Sequence, residues 1–176
     1  MTPRPGRRRA EQGQALILIA VSMVALFGFL GFVIDVGRVI NARRQLQASS
    51  DAAAQAGALD IDTAMTLANA NLATAAPIVT ARAYGSESGQ KNAYSNLANV
   101  TMTPSVVCTD SVSLSLTAQN CAQSAQPNTM VVTQTATVNT FFARIVGRNS
   151  FNISVTAKAA ARSGGLPPLD VQIVVD

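Results

Sequence analysis

The sequence contains no histidine, and only 12 % of its 176 residues are charged. The missing imidazole removes the side chain best suited to proton transfer near neutrality, and with it any Ser-His-Asp or Cys-His nucleophile set. Phosphate-cradling loops are lacking too, because neither the early Gly-Arg run nor the serine-glycine stretch at 85–89 fits a Walker or dinucleotide pattern. Cysteine is limited to Cys108 and Cys121. Two thiolates without histidine cannot complete a tetrahedral zinc site. No catalytic, cofactor-binding or metal-ligating residue is assigned, so an enzyme, a cofactor and a small-molecule substrate are not expected.

A basic stripe interleaved with aromatics is also absent. The net charge of +4 could suggest a nucleic-acid partner, but its distribution argues otherwise. Arg4, Arg7, Arg8 and Arg9 face only Glu11 before residue 15, whereas nine basic and eight acidic residues follow from Asp35 onward. The excess is concentrated at the amino end, where it reads as a topology signal with affinity for anionic lipid headgroups, and nucleic-acid binding is not expected.

What the chain does have is one long apolar run, residues 15–34, ALILIAVSMVALFGFLGFVI. A helix crossing ~30 Å of hydrocarbon needs about 20 such residues, and Ser22, the polar exception, can bond back to the preceding turn. A cleaved signal peptide would have a core of ~7–15 residues and a small-residue cleavage site, and a soluble core helix would be shorter with polar positions. The run therefore reads as a single-pass membrane anchor with the lipid bilayer as its first partner. Arg4, Arg7, Arg8 and Arg9 act as topology determinants that keep the amino terminus cytoplasmic, although Arg38, Arg43 and Arg44 on the far side pull the other way. Asp35 ends the run at the membrane boundary, where a local charge pair with Arg38 is expected. Gly28 and Gly31 do not form the Gly-x-x-x-Gly spacing that favours helix pairing.

The domain organisation follows. Residues 1–14 are a polar, Pro- and Arg-rich tail, expected to be disordered, and residues 15–36 are the transmembrane helix. Residues 37–162 form an extracytoplasmic α+β domain, and residues 163–176 are a Gly/Pro linker followed by a strand. Good helix formers without proline carry the anchor helix on to Leu59, ~67 Å from residue 15 if unbroken. Ala48, Ala52 and Ala56 along it make a smooth strip open to close approach. Asp62 is placed as the N-cap of a second helix running through Met65, Ala68, Leu72 and Ala75. Pro77 opens a short third helix ending near Gly85, and residues 85–92 form an exposed loop. Alternation of apolar and Ser/Thr residues marks strands near 100–108, 111–118, 129–138 and 150–160, with residues 140–147 as a short helix between the last two. The fold class is α+β: a long amino-terminal transmembrane helix extending into a helical segment packed on a small antiparallel sheet. In an oxidising compartment Cys108 and Cys121 are expected to form a disulfide, two unrelated buried thiols being the alternative.

Four pieces of this pattern resemble a known family. They are Gly13-Gln14-Ala15, Asp35-Val36-Gly37-Arg38, Arg43-Arg44-Gln45-Leu46-Gln47 and Asp51-Ala52-Ala53-Ala54. Together they are similar to the amino-terminal Tad segment of TadG-like proteins of bacterial Flp (Tad) pilus assembly, and residues 140–161 resemble the middle region of those proteins. The resemblance implies an inner-membrane protein whose partners are other Tad/Flp pilus-assembly proteins. It also implies that residues 169–176, LDVQIVVD, are the first strand of a truncated von Willebrand factor A-like domain with Asp176 as its metal-proximal acid. One carboxylate cannot bind a hard cation, so no metal is assigned. Two alternatives stay open: a membrane-tethered adhesion or binding module, and a minor pilin processed after Gly6. Prepilin processing places Glu at the fifth position after the cut, as Glu11 is here, but Arg7, Arg8 and Arg9 occupy positions that are apolar in pilins.

Overall fold

The computed structural model describes residues 7–62, 64–108 and 126–161. In chain order the elements are α1 (Arg7–Leu59), α2 (Leu67–Ala70), α3 (Ala76–Ala83), β1 (Ala98–Val107), β2 (Thr129–Asn139), a 3-10 turn (Ala143–Val146) and β3 (Ser150–Ala160). The class is α+β, with a long amino-terminal helix and a three-stranded antiparallel sheet in the order β1-β2-β3 among the described residues. Two compact units divide the chain: Met1–Ile40 with Asn139–Phe151, and Asn41–Val138 with Asn152–Asp176.

α1 is unbroken for 53 residues. Residues 7–14, assigned to the tail by their arginine content, form its first turns: past Pro5 the segment holds Arg, Ala, Glu and Gln, which favour helix. In the second unit, the last part of α1 buries Ala42, Leu46, Ser49, Ser50, Ala53, Ala54 and Ala58. These positions recur at spacings of three and four, with neighbours paired at 49/50 and 53/54, as one face of a 3.6-residue period requires. The expected strip of Ala48, Ala52 and Ala56 steps uniformly by four, drifts off that face, and is exposed or only half-buried. Gly57 lies on the buried side, and a Cβ there would stand 2.8 Å from the Pro77 carbonyl oxygen.

The core joins this face to α3 and to the inner side of the sheet, through Ile78, Ala81, Met102, Val106, Met130, Val132 and Ala157. α3 begins with Pro77 in its first turn, as expected, and residues 85–92 form the turns that follow. The second helix is shorter than expected. Asp62 closes a local turn, its Oδ1 accepting from Ala64 N–H at 3.2 Å, and the cap of α2 is Thr66.

From Met130 onward β2 alternates, with Met130, Val132, Gln134, Ala136 and Val138 inward and Thr133, Thr135 and Thr137 outward. The outer side is laced by hydroxyl pairs, Thr101 with Thr135 at 2.6 Å and Thr133 with Thr156 at 3.0 Å. β1 carries a register irregularity between Ala98 and Thr101, where Asn99 adopts φ +50°. That left-handed conformation is one asparagine tolerates better than most side chains. The strand expected at 111–118 and the linker and strand at 163–176 lie outside the described residues.

Among the described residues β1 lies at the edge of the sheet, and several of its outward groups are occupied. Asn71 accepts from Val106 N–H and donates to its carbonyl, both at 2.7 Å, and Glu87 accepts from Met102 N–H at 3.0 Å. Between them Pro104 has no N–H to offer.

Gln134, fully buried, donates to the hydroxyls of Ser49 (3.2 Å) and Ser50 (3.0 Å) and accepts from Ser86 N–H (2.9 Å). It ties α1, β2 and the 85–92 turns to one point. Gln134→Ala is expected to cost about 3 kcal/mol in urea unfolding of the detergent-solubilised chain, through the orphaned Ser86 N–H and the cavity. Ser86→Ala is expected to be neutral or slightly stabilising, because Ser86 Oγ is buried without a hydrogen-bond partner. Gly57→Ala gains about 1 kcal/mol of helix propensity, but the Pro77 backbone blocks the added methyl and makes the net change a loss of about 1–3 kcal/mol in the same assay.

Candidate functional site

In the first unit, α1 from Leu16 to Ile34 is apolar and exposed almost throughout. Ser22 Oγ donates back to the Leu18 carbonyl at 2.8 Å, so the one hydroxyl in the run is paired within the helix. By length and composition this helix is able to cross a membrane. Gly31 and Asp35, one turn apart, are the positions of this stretch that are covered.

What covers them is the connection between β2 and β3. Asp35 is 2 % exposed. Its Oδ1 accepts from Phe141 N–H at 2.8 Å, and its Oδ2 accepts from Phe142 and Ala143 N–H at 2.9 and 2.6 Å. These are the donors that a helix leaves unpaired at its start, and Phe142, at the cap of the 3-10 turn, makes no side-chain cap of its own. A carboxylate 106 to 108 residues earlier in sequence does the capping. A negative group there also complements the dipoles of the turn.

Asp35 and Arg38 make no direct ion pair within 4 Å, but the Arg38 charge still acts on the Asp35 carboxylate electrostatically. The Asp35 oxygens are taken up by backbone donors, and the Arg38 guanidinium lies over the Phe141 ring at 4.4 Å. One turn back, Phe142 packs on bare backbone: a Cβ at Gly31 would stand 2.6 Å from Phe142 Cγ. The connection is also braced internally. Thr140 N–H donates to the Asn149 carbonyl at 3.0 Å, Thr140 Oγ1 to the Arg148 carbonyl at 2.5 Å, and Gly147 ends the turn at φ +84°.

Of the other residues singled out from the sequence, Arg7, Arg8 and Arg9 lie in the first turn of α1 and Arg4 falls outside the described residues. Cys108 is buried just past β1, no described cysteine is free, and Cys121 lies outside the described residues. Sequence reasoning missed the Asp35 cap and the Gln134 hub. The one available signal for the first was an acid directly abutting a long apolar run, where an unpartnered carboxylate is costly.

Among the described residues one helix is long and apolar enough to cross a membrane, and the chain continues from it into an α+β unit. Residues 13–60 match the Tad family model, described as "Putative Flp pilus-assembly TadE/G-like". That segment, somewhat over a quarter of the chain, is similar to the TadE/G-like family. No curated protein and no solved structure matches the chain.

Asp35→Leu removes all three acceptor contacts and is expected to release the connection, read as faster tryptic cleavage at Arg144 and Arg148 in detergent micelles. Asp35→Asn, which keeps one carbonyl oxygen, should fall between. Gly31→Val, whose Cβ meets the root of the Phe142 side chain, should mimic Asp35→Leu.

Proposed function

We propose that this chain is a membrane-anchored, non-enzymatic component of Flp/Tad pilus assembly, held in the bacterial inner membrane by residues 15–36. The observation that carries the reading is the Tad match at 13–60, which coincides with the exposed apolar stretch of α1. An apolar helix left exposed over this length is stable only in hydrocarbon or against partners of equal apolarity. In this reading Arg4, Arg7, Arg8 and Arg9 hold the amino terminus in the cytoplasm, and residues 37–162 form an extracytoplasmic domain that contacts other assembly proteins. A disulfide between Cys108 and Cys121 closes the chain between β1 and β2, and residues 163–176 lead towards a von Willebrand factor A-like strand.

A membrane-impermeant thiol reagent applied to intact spheroplasts tests orientation and disulfide together. The cysteines are expected to label from outside only after reduction. Labelling that needs lysis but no reductant would overturn both, and recovery of the full-length chain in the cytosol would overturn the anchor.

A further inference from the structure

The connection clamped by Asp35 exposes side chains that water does not favour. Phe141 and Phe142 are 58 % and 43 % exposed, and Ile145 and Val146 are 82 % and 80 % exposed. They lie together on a ten-residue segment, 140–149, whose own hydrogen bonds hold it shut. Solvent-facing connections are ordinarily polar, and an apolar cluster of this kind marks a contact surface. Between the apolar residues stand exposed Arg144 and Arg148, and residues 139–151 contain no acid.

Its position says what the contact is. Asp35 fixes the segment at the end of the apolar run, and Phe142 reaches Gly31, a turn further into the run, ~6 Å along the axis. Phe142 packs on the apolar surface of α1 at Gly31, and Ile145 and Val146 follow it, exposed, on the same connection. We infer that the 140–149 connection is a second membrane-binding element, a wedge that seats Phe142, Ile145 and Val146 in the headgroup–acyl boundary of the leaflet beside Asp35. Arg144 and Arg148 then stand at the level of the lipid phosphates, as basic residues flanking an interfacial apolar face do, and Arg38 stays stacked on Phe141 in the same layer. The occupant is phospholipid, not a second protein, because the wedge is fastened at Asp35 and Gly31 to a helix of membrane-crossing length and its charges are all of the sign that phosphate attracts. The three hydrogen bonds to Asp35 close a side chain and three N–H groups that hydrocarbon could not solvate, which makes backbone at this depth tolerable.

This inference rests on α1 spanning the bilayer, and the test separates the two. The chain has no tryptophan, so a single one reports its own surroundings. Full-length Ile145→Trp and, as reference, Phe27→Trp are reconstituted into phosphatidylethanolamine–phosphatidylglycerol vesicles, with and without lipids brominated high on the acyl chain. Both tryptophans are expected to lose most of their emission in brominated vesicles, and that of Ile145→Trp should be blue-shifted and shielded from aqueous acrylamide. Adding Asp35→Leu to Ile145→Trp should restore much of the lost emission. Quenching of Phe27→Trp alone would overturn the wedge and leave the anchor standing. A blue-shifted Ile145→Trp that bromolipid does not quench would mean a protein surface covers the segment, which also overturns the wedge. Quenching of neither would overturn the anchor and the wedge with it.

Discussion

Removing a polar side chain from water costs more than most single contacts return, so a buried polar group dictates what surrounds it. Asp35 and Gln134, one in each unit, are that constraint here, at 2 % and 0 % exposure. Each is satisfied by groups far away in sequence: the N–H groups of Phe141, Phe142 and Ala143 for Asp35, and the Ser86 N–H with the Ser49 and Ser50 hydroxyls for Gln134. Backbone donors have fixed positions once the chain is folded, so these contacts specify geometry in a way that apolar packing does not. Replacing either side chain leaves donors with no water to turn to.

Around Gln134 the second unit is assembled by close approach. Ser49, Ser50, Ala53, Ala54 and Gly57 keep the face of α1 nearly flat, and at Gly57 the Pro77 backbone comes near enough to exclude a methyl. Small side chains bury little apolar area each, so the stability of the unit depends on fit rather than bulk. The larger members of the core, Leu46, Met130, Val106 and Val132, fill what remains. Asn71 and Glu87 then take up the Val106 and Met102 backbone groups on the side of β1 away from β2, and Pro104 between them has no N–H to offer.

The first unit uses the same chemistry for another end. An apolar helix needs no tertiary contact to satisfy its backbone, and α1 makes few before Asp35. The cap at Asp35 fastens a self-braced connection to it at one level, with Gly31 giving Phe142 room to lie flat on the helix. A single polar position thus couples the end of the apolar run to apolar side chains more than a hundred residues later.

The sequence by itself determined what depends on local pattern. The apolar run, the continuation of α1 to Leu59, the Pro77 start of α3, the strands β1, β2 and β3 and the turn ending at Gly147 were legible because helix and strand periods and Gly/Pro punctuation act over a few residues. The motif at 13–60 was legible for the same reason, being contiguous. Only the tertiary structure decided which face of α1 is buried, because alanines at 48, 52 and 56 and small residues at 49, 53 and 57 look alike until a sheet selects between them. Only tertiary structure, likewise, assigned Asp35 to a backbone cap and Arg38 to an aromatic ring, and made Gln134 a hub in a strand of otherwise ordinary alternation. A carboxylate or an amide can be satisfied by any donor of suitable geometry, and which donor reaches it is fixed by how distant segments pack.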